Sequence, residues 1–346
     1  YNGDHFGNLI WAQYASNAAP NHRFYESNAD KKDFNLYSKV TQRLGTAWTV
    51  YADVQYRTVA YNSMGTVKGP EPIAIDDALS FFNPKAGITY RASEASRLYL
   101  SYAKAQREPN RSDYENGTPK PESLNDFEAG WRFKKEKVQL QANLYYMDYE
   151  NQLVLTGALD AVGEPIRTNS GRSYRFGLEI EAAIQFAEQW VWQPNLAVSS
   201  NKNKDFYFKR DGLLQNLGTT NISYSPSIVG ASNLVYAPST VFRVALLSKY
   251  VGEQYMGNID ADLSKLEAYL TNDINVSYVW TPNSWIKEAQ FSLLVNNIFN
   301  ELYTSNGYFY TFDDDYSVAG VVTTIEGVGY YPQAGTNFLM GATFRF

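Results

Sequence analysis

His5 and His22 are the only imidazoles in the chain, and both stand in its opening stretch. Two histidines can contribute to a transition-metal site, but loop histidines are more often solvated, and neither lies on a strand that would fix it beside a nucleophile. Cysteine is absent, which removes disulfides and thiolate chemistry. Met64, Met147, Met256 and Met340 are scattered. No nucleophile elbow, zinc motif or phosphate loop occurs, so the chain does not read as an enzyme. Three other groups could bind rather than react. The run Gln106–Tyr114 carries Arg107, Asn110, Arg111 and Tyr114. Its two guanidiniums suit an anionic ligand; the alternative is an exposed loop held by local ion pairs. Tyr303, Tyr308, Phe309, Tyr310 and Phe312 could form a stacking platform for a flat aromatic chelate, or simply pack as girdle and loop residues. Asp313, Asp314 and Asp315 could hold a hard cation or form a solvated acidic loop tip.

The composition limits what could position these residues. A net charge of −6 over 346 residues and a pI of about 5.2 offer no nucleic-acid surface. Aromatic residues reach 16% while mean hydropathy stays at −0.40. No apolar run approaches the ~18 residues that a membrane helix needs. High aromatic content with low hydropathy suits a transmembrane barrel, in which half of each strand is polar and aromatic girdles mark both interfaces. Tyr1 opens on a polar stretch with neither an initiator Met nor a signal peptide, which reads as a processed chain or a fragment.

Period-two alternation recurs along the chain. Tyr1–Asp30 reads as a loop, and strands are predicted over Lys32–Leu44, Trp48–Asn62, Phe82–Ala92 and Arg97–Arg107. Further strands are predicted over Leu124–Phe133, Val138–Leu155, Phe176–Phe186 and Trp190–Ser200. The series continues through Ile222–Tyr236, Val241–Val251, Tyr269–Trp280 and Gln290–Tyr303. It closes on a strand in which Phe338, Met340, Ala342, Phe344 and Phe346 share one face. No helical periodicity, low-complexity segment or domain linker is evident.

These strands are longer than the five or six residues usual in soluble proteins. Connections alternate between roughly three to six and roughly twelve to twenty-five residues, the asymmetry of periplasmic turns and extracellular loops. The predicted fold is all-β: a transmembrane antiparallel barrel with about 13 strands in this chain. If the last strand descends to the periplasm, counting back puts Tyr1–Asp30 outside the cell. An open sheet would also leave backbone groups unpaired in lipid. Residues 1–346 are therefore expected to be the C-terminal part of a larger barrel. Asp53, Arg57, Glu179, Glu181, Arg243, Lys249, Asp273 and Arg345 fall on the lumen face. Either a water-filled porin lumen or contact with a polar plug would accommodate them.

Four segments together resemble the TonB-dependent outer-membrane receptors, particularly the form common in Bacteroidetes. Pro119–Trp131 (PKPESLNDFEAGW) is similar to a strand start of that family, and Tyr174–Glu181 (YRFGLEIE) to its Tyr-x-Gly-x-Glu-x-Glu strand. Val295–Tyr303 (VNNIFNELY) is similar to its Asn-Leu-Phe-Asn segment, and Tyr330–Phe346 to its terminal strand. The resemblance implies a 22-stranded plugged barrel, with the plug, the TonB-contacting segment and the early strands absent from this chain. It implies Asp53, Arg57, Glu179, Glu181 and Arg243 as plug-facing, and Phe338, Phe344 and Phe346 as the strand read by the barrel-assembly machinery. It further implies TonB-driven import of a scarce small molecule across the Gram-negative outer membrane, without a resident cofactor. An iron chelate, siderophore or haem, is the leading cargo; cobalamin, other chelates and oligosaccharides stay open. A surface lipoprotein capping the loops is also compatible with it. Haem receptors of the family carry an Arg/Pro box where Arg107–Tyr114 lies, yet no His stands between Arg107 and Glu122, so haem ligation there is not expected. The alternative is a passive porin or an adhesin-like structural barrel.

Overall fold

The computed structural model describes residues 1–14, 19–68, 71–159, 165–282 and 285–346. Among these, one antiparallel wall contains fourteen strands joined in sequence order. It begins with β1 (Asn2–Asn8), β2 (Arg23–Leu44), β3 (Trp48–Val67), β4 (Glu71–Arg91) and β5 (Ser96–Arg107). It continues through β6 (Glu122–Lys135), β7 (Val138–Glu150), β8 (Arg172–Ala187), β9 (Trp190–Lys204) and β10 (Ile228–Tyr236). It ends with β11 (Phe242–Val251), β12 (Tyr269–Trp280), β13 (Glu288–Asn296) and β14 (Asn337–Arg345). β1 and β14 are its free edges.

Register converts the alternation into a lipid face. One row runs Val50, Ile88, Leu100, Ala129, Leu144, Leu178 and Val198 across seven strands. Another runs Leu246, Ile274, Val295 and Phe338. These side chains have no partner layer; Leu100 is 59% exposed. An open apolar groove of about 690 Å³ among Val50, Ile88, Leu100, Leu144 and Phe176 belongs to this outward face, not to a ligand site. On the other face, the rings of Tyr51, Tyr99 and Tyr145 lie over Gly87, Gly130 and Gly177 of neighbouring strands, where a Cβ would collide with the ring. Such glycines let an aromatic lie flat against the sheet.

Three parts of the sequence reading are corrected. Tyr1–Asp30 is not all loop: β1 pairs with Arg23–Asp30, so the wall has fourteen strands where thirteen were expected. The strands predicted over Trp48–Asn62 and Phe82–Ala92 are longer, the first reaching Val67 and the second starting at Glu71, with Gly65 opposite Ile73. Three predicted strands are shorter: β7 stops at Glu150 and β13 at Asn296, where Asn151 and Asn297 take positive φ (56° and 51°), and β10 starts at Ile228 rather than Ile222, after Tyr224 at positive φ (52°). Asn tolerates the left-handed region that ends a strand.

Two buried apolar cores lie away from the lipid-facing rows, one among the large loops and one at the far end of the β3–β4 pair. One contains Val154, Phe206, Phe208 and Ile259; the other contains Val67, Ile73 and Ile75.

Candidate functional site

Asp53 stands between Lys39 and Lys85 in register, and Glu179 and Glu181 stand opposite Asn143 and Gln141. Arg243 faces Ser277. All of these belong to the polar face of the wall. Arg57 is engaged: it meets Asp33 at 2.5 Å and Glu108 at 2.7 Å, and Lys31 meets Glu108 at 2.9 Å. On the terminal strand, Phe338 and Phe344 lie opposite Val295 and Ala289. The Phe346 ring stacks on Trp285 at 5.0 Å.

The loop after β5 is fastened from several directions. It holds a single helical turn, α1 (Arg111–Tyr114), whose capping box joins Asn110 and Asp113. Arg111 pairs with Glu115 at 3.2 Å and donates to Ser27 Oγ at 2.6 Å. Asp113 takes Arg167 at 3.1 Å, and Lys68 takes Glu115 at 3.1 Å. The Tyr114 hydroxyl donates to Asp77 Oδ2 at 2.5 Å, and its ring packs on the Val67–Ile73–Ile75 core. Burial, reinforced by Asp77, pushes the Tyr114 phenol up. Three of the four predicted ligand residues here, Asn110, Arg111 and Tyr114, therefore fasten the loop. Arg107 pairs with Glu122 at 3.1 Å and keeps an exposed surface.

Glu108 sits at the base of that loop. Burial opposes its ionisation, but hydrogen bonds from Arg57 and Lys31 outweigh it and lower the pKa from 4.5 to about 2. A depressed folded-state pKa stabilises above the unfolded value, and that contribution is lost as pH falls through the folded one. Pepsin cleavage within 108–121 is thus expected to accelerate as pH falls from 4.5 to about 2, and Glu108→Gln should flatten the profile. A wild-type profile that is already flat would place the loop's anchorage elsewhere.

The larger loops form a canopy. Strands Leu153–Leu159, Pro165–Asn169, Thr304–Asp314 and Thr323–Pro332 make a four-stranded sheet, and Tyr207–Arg210 pairs with Leu213–Asn216 as a hairpin. Lys209–Asp313 (3.0 Å) and Arg210–Glu326 (2.7 Å) join hairpin to sheet, as does the Thr324 amide donating to Asp211 Oδ1 at 2.8 Å. Bonds from Lys209 and Thr324 hold Asp313 below the usual carboxylate range. Asp314 accepts from the amides of Tyr316 and Ser317. Asp313 thus braces the hairpin against the sheet, and Asp314 organises a turn. Among the described residues, no group of three or more His, Cys, Asp or Glu could hold a metal ion.

The predicted platform divides by strand parity. Tyr308, Tyr310 and Phe312 share one face as a ladder, with centroid spacings of 6.2 and 6.4 Å and interplanar angles of 23° and 16°. Tyr308 and Tyr310 lie on Gly329 and Gly327 across the hairpin, and Tyr331 abuts Tyr308 at 5.9 Å. Tyr308 is 50% exposed. Phe309 points the other way, into the canopy core. Tyr303 stands apart from the ladder: it stacks on Tyr269 at 4.3 Å and lines an open cleft of about 830 Å³ with Lys265, Tyr330 and Gln333. Sequence reading missed Tyr330, Tyr331 and Lys265; the Gly-x-Gly at 327–329 opposite the tyrosines was the available signal.

A lipid-facing antiparallel wall with a charged inner face, short turns at one end and folded loops at the other defines a transmembrane β-barrel protein. The chain belongs to the TonB-dependent receptors: the family model described as "TonB dependent receptor-like, beta-barrel" matches residues 1–298. It is an outer-membrane protein of Gram-negative type. It is 23% identical over 303 residues to the catecholate siderophore receptor Fiu of Escherichia coli K12, covering 82% of this chain and 35% of that protein. The crystal structure of the ferric-catecholate import receptor Fiu, closed form, superposes with a TM-score of 0.66 at 18% identity, covering 93% of this chain and 46% of that one. The unliganded ferric citrate transporter FecA gives 0.71 at 15% identity, covering 95% and 47%. The chain thus spans about a third of the curated relative and just under half of these solved chains.

Proposed function

We propose that the receptor to which this chain contributes binds an extracellular iron chelate, of the siderophore class, on its canopy and imports it to the periplasm with energy from TonB. The observation that carries this reading is the Tyr308–Tyr310–Phe312 ladder, a flat aromatic ledge on a hairpin that is itself braced from behind by Phe309. Rigid rings give large contact area at low entropic cost. The relatives' names, a catecholate siderophore receptor and a ferric citrate transporter, support the cargo class. Arg107, with its exposed surface, and Tyr303, in the adjoining cleft, are the remaining proposed ligand contacts.

The full-length receptor should bind one member of a panel of ferric siderophores saturably. In Tyr308→Ala/Tyr310→Ala, loss of two stacking contacts at roughly 0.5–1.5 kcal/mol each should weaken binding about fivefold to a hundredfold. If no iron chelate binds and small solutes diffuse freely through reconstituted protein, the importer reading gives way to a passive porin.

A further inference from the structure

The outward face of the Tyr308 hairpin carries no cation among the described residues. Tyr308, Tyr310 and Phe312 share that face with Tyr331 and Ile325 of the paired strand, and its one charged residue is Asp314, opposite Thr323. No Lys, Arg or His stands between Lys287 and Arg345, whereas the hairpin and its tip carry Asp313, Asp314, Asp315 and Glu326. Bonds from Ser317 and from the Tyr316 amide hold Asp314 below the usual carboxylate range, so it stays ionised. The cations of the surrounding loops are already engaged. On the back of the sheet, Lys209 and Arg210 are taken by Asp313 and Glu326. Arg167 is taken by Asp113, and Lys265 by Glu253 at 2.7 Å with Glu267 at 4.0 Å. Arg107 is answered by Glu122. The backbone of Lys120 bonds Asn169, on the edge strand farthest from Thr323–Pro332. Asp314 and Asp315, by contrast, hold no ion pair among the described residues. The rings act in the same sense as these acids. Tyr308 and Tyr310 lie with one face on Gly329 and Gly327, which turns the other face outward. A π-face is the negative side of the ring quadrupole and attracts cations.

We propose that the ledge selects its chelate by charge: it takes a ferric hydroxamate, neutral at the metal and bearing an ammonium, and rejects an anionic ferric catecholate. This rests on the siderophore reading above and narrows it. Three hydroxamate monoanions cancel the charge of Fe(III), so the complex offers alkyl and amide surface that can lie on flat rings without a charge to desolvate. Three catecholate dianions leave an excess of negative charge. That charge would lose its water against outward π-faces and Asp314, with no free guanidinium or ammonium to receive it. An ammonium carried on the hydroxamate chain gains twice, from the ring faces and from Asp314 and Asp315 at the hairpin tip.

The test is equilibrium dialysis of the full-length receptor in detergent against one scaffold at three charges. The probes are ferrioxamine B, a trihydroxamate ending in an ammonium, its neutral N-acetyl derivative and its anionic N-succinyl derivative, with ferric enterobactin as the tris-catecholate. At low ionic strength ferrioxamine B should bind saturably and at least about tenfold more tightly than the succinyl derivative, with the acetyl derivative between them and the spread narrowing in high salt. Asp314→Asn/Asp315→Asn keeps the rings and the turn's acceptor and should compress that spread. Loss of loop structure would instead weaken all three alike. Equal affinity for the three derivatives, or ferric enterobactin bound more tightly than ferrioxamine B, would overturn the charge selection and leave the siderophore reading standing. Binding of no iron chelate at all would remove both.

Discussion

Leu178→Arg is expected to destabilise the folded barrel by roughly 2–4 kcal/mol, whereas Glu179→Lys, one residue along, should cost under about 1 kcal/mol. The contrast follows from parity alone. Leu178 lies between Leu144 and Val198 in the apolar row, and its outer side is exposed on the lipid face. An arginine near the middle of that row must snorkel or thin the bilayer. Glu179 points to the polar face between Asn143 and Ala197, where a reversed charge remains hydrated. Urea titration of receptor folded into vesicles, followed by gel mobility, measures both variants. Similar losses at the two positions would mean that the apolar face is not the lipid face, and the wall would have to be read inside out.

What the sequence makes legible is what the bilayer imposes. Lipid on one side and a polar lumen on the other force a period of two, so Trp48–Tyr56 and Phe176–Phe186 could be read as strands with the correct face. Above the membrane neither constraint acts. There β1 and the Thr66–Pro72 end of the β3–β4 hairpin alternate weakly and escape notice, although they pair in register. The canopy hairpin carried a local signal that could have been used. Asp211 and Gly212 both take positive φ (52° and 75°), the two-residue turn that Asp-Gly favours. The fate of the loop arginines was illegible for a different reason. Arg111 is tied to Ser27, and Tyr114 to Asp77, across 84 and 37 residues, and no local pattern announces such partners. The aromatic platform was readable as composition. Its division into a Tyr308–Tyr310–Phe312 face, exposed at Tyr308 and Phe312, and a half-buried Phe309 requires the register with Thr323–Pro332.

Phe206→Ala should separate the canopy from the wall. Phe206 is 2% exposed and packs in the cluster of Val154, Phe208 and Ile259, with Leu217 and Phe309 against it. Removing a ring from such a core costs about 3–5 kcal/mol when neighbours cannot collapse into the space. The wall does not share this core; its strands are held by their own ladders and by lipid. The loss should therefore appear as local opening and leave the urea midpoint of the barrel where it is. Proteolysis within 205–219 is expected to accelerate by orders of magnitude, with gel mobility unchanged. Ligand binding should fall in parallel, by at least about tenfold, because Phe309 is the back of the strand whose front presents Tyr308 and Tyr310. Phe206→Leu keeps most of the volume and should retain most of the affinity. If the loops become protease-sensitive while siderophore affinity holds, the ladder is not the recognition surface. If instead the barrel midpoint falls with the canopy, loops and wall unfold as one unit, and the packed loops act as a stabilising clamp on the outer end of the barrel.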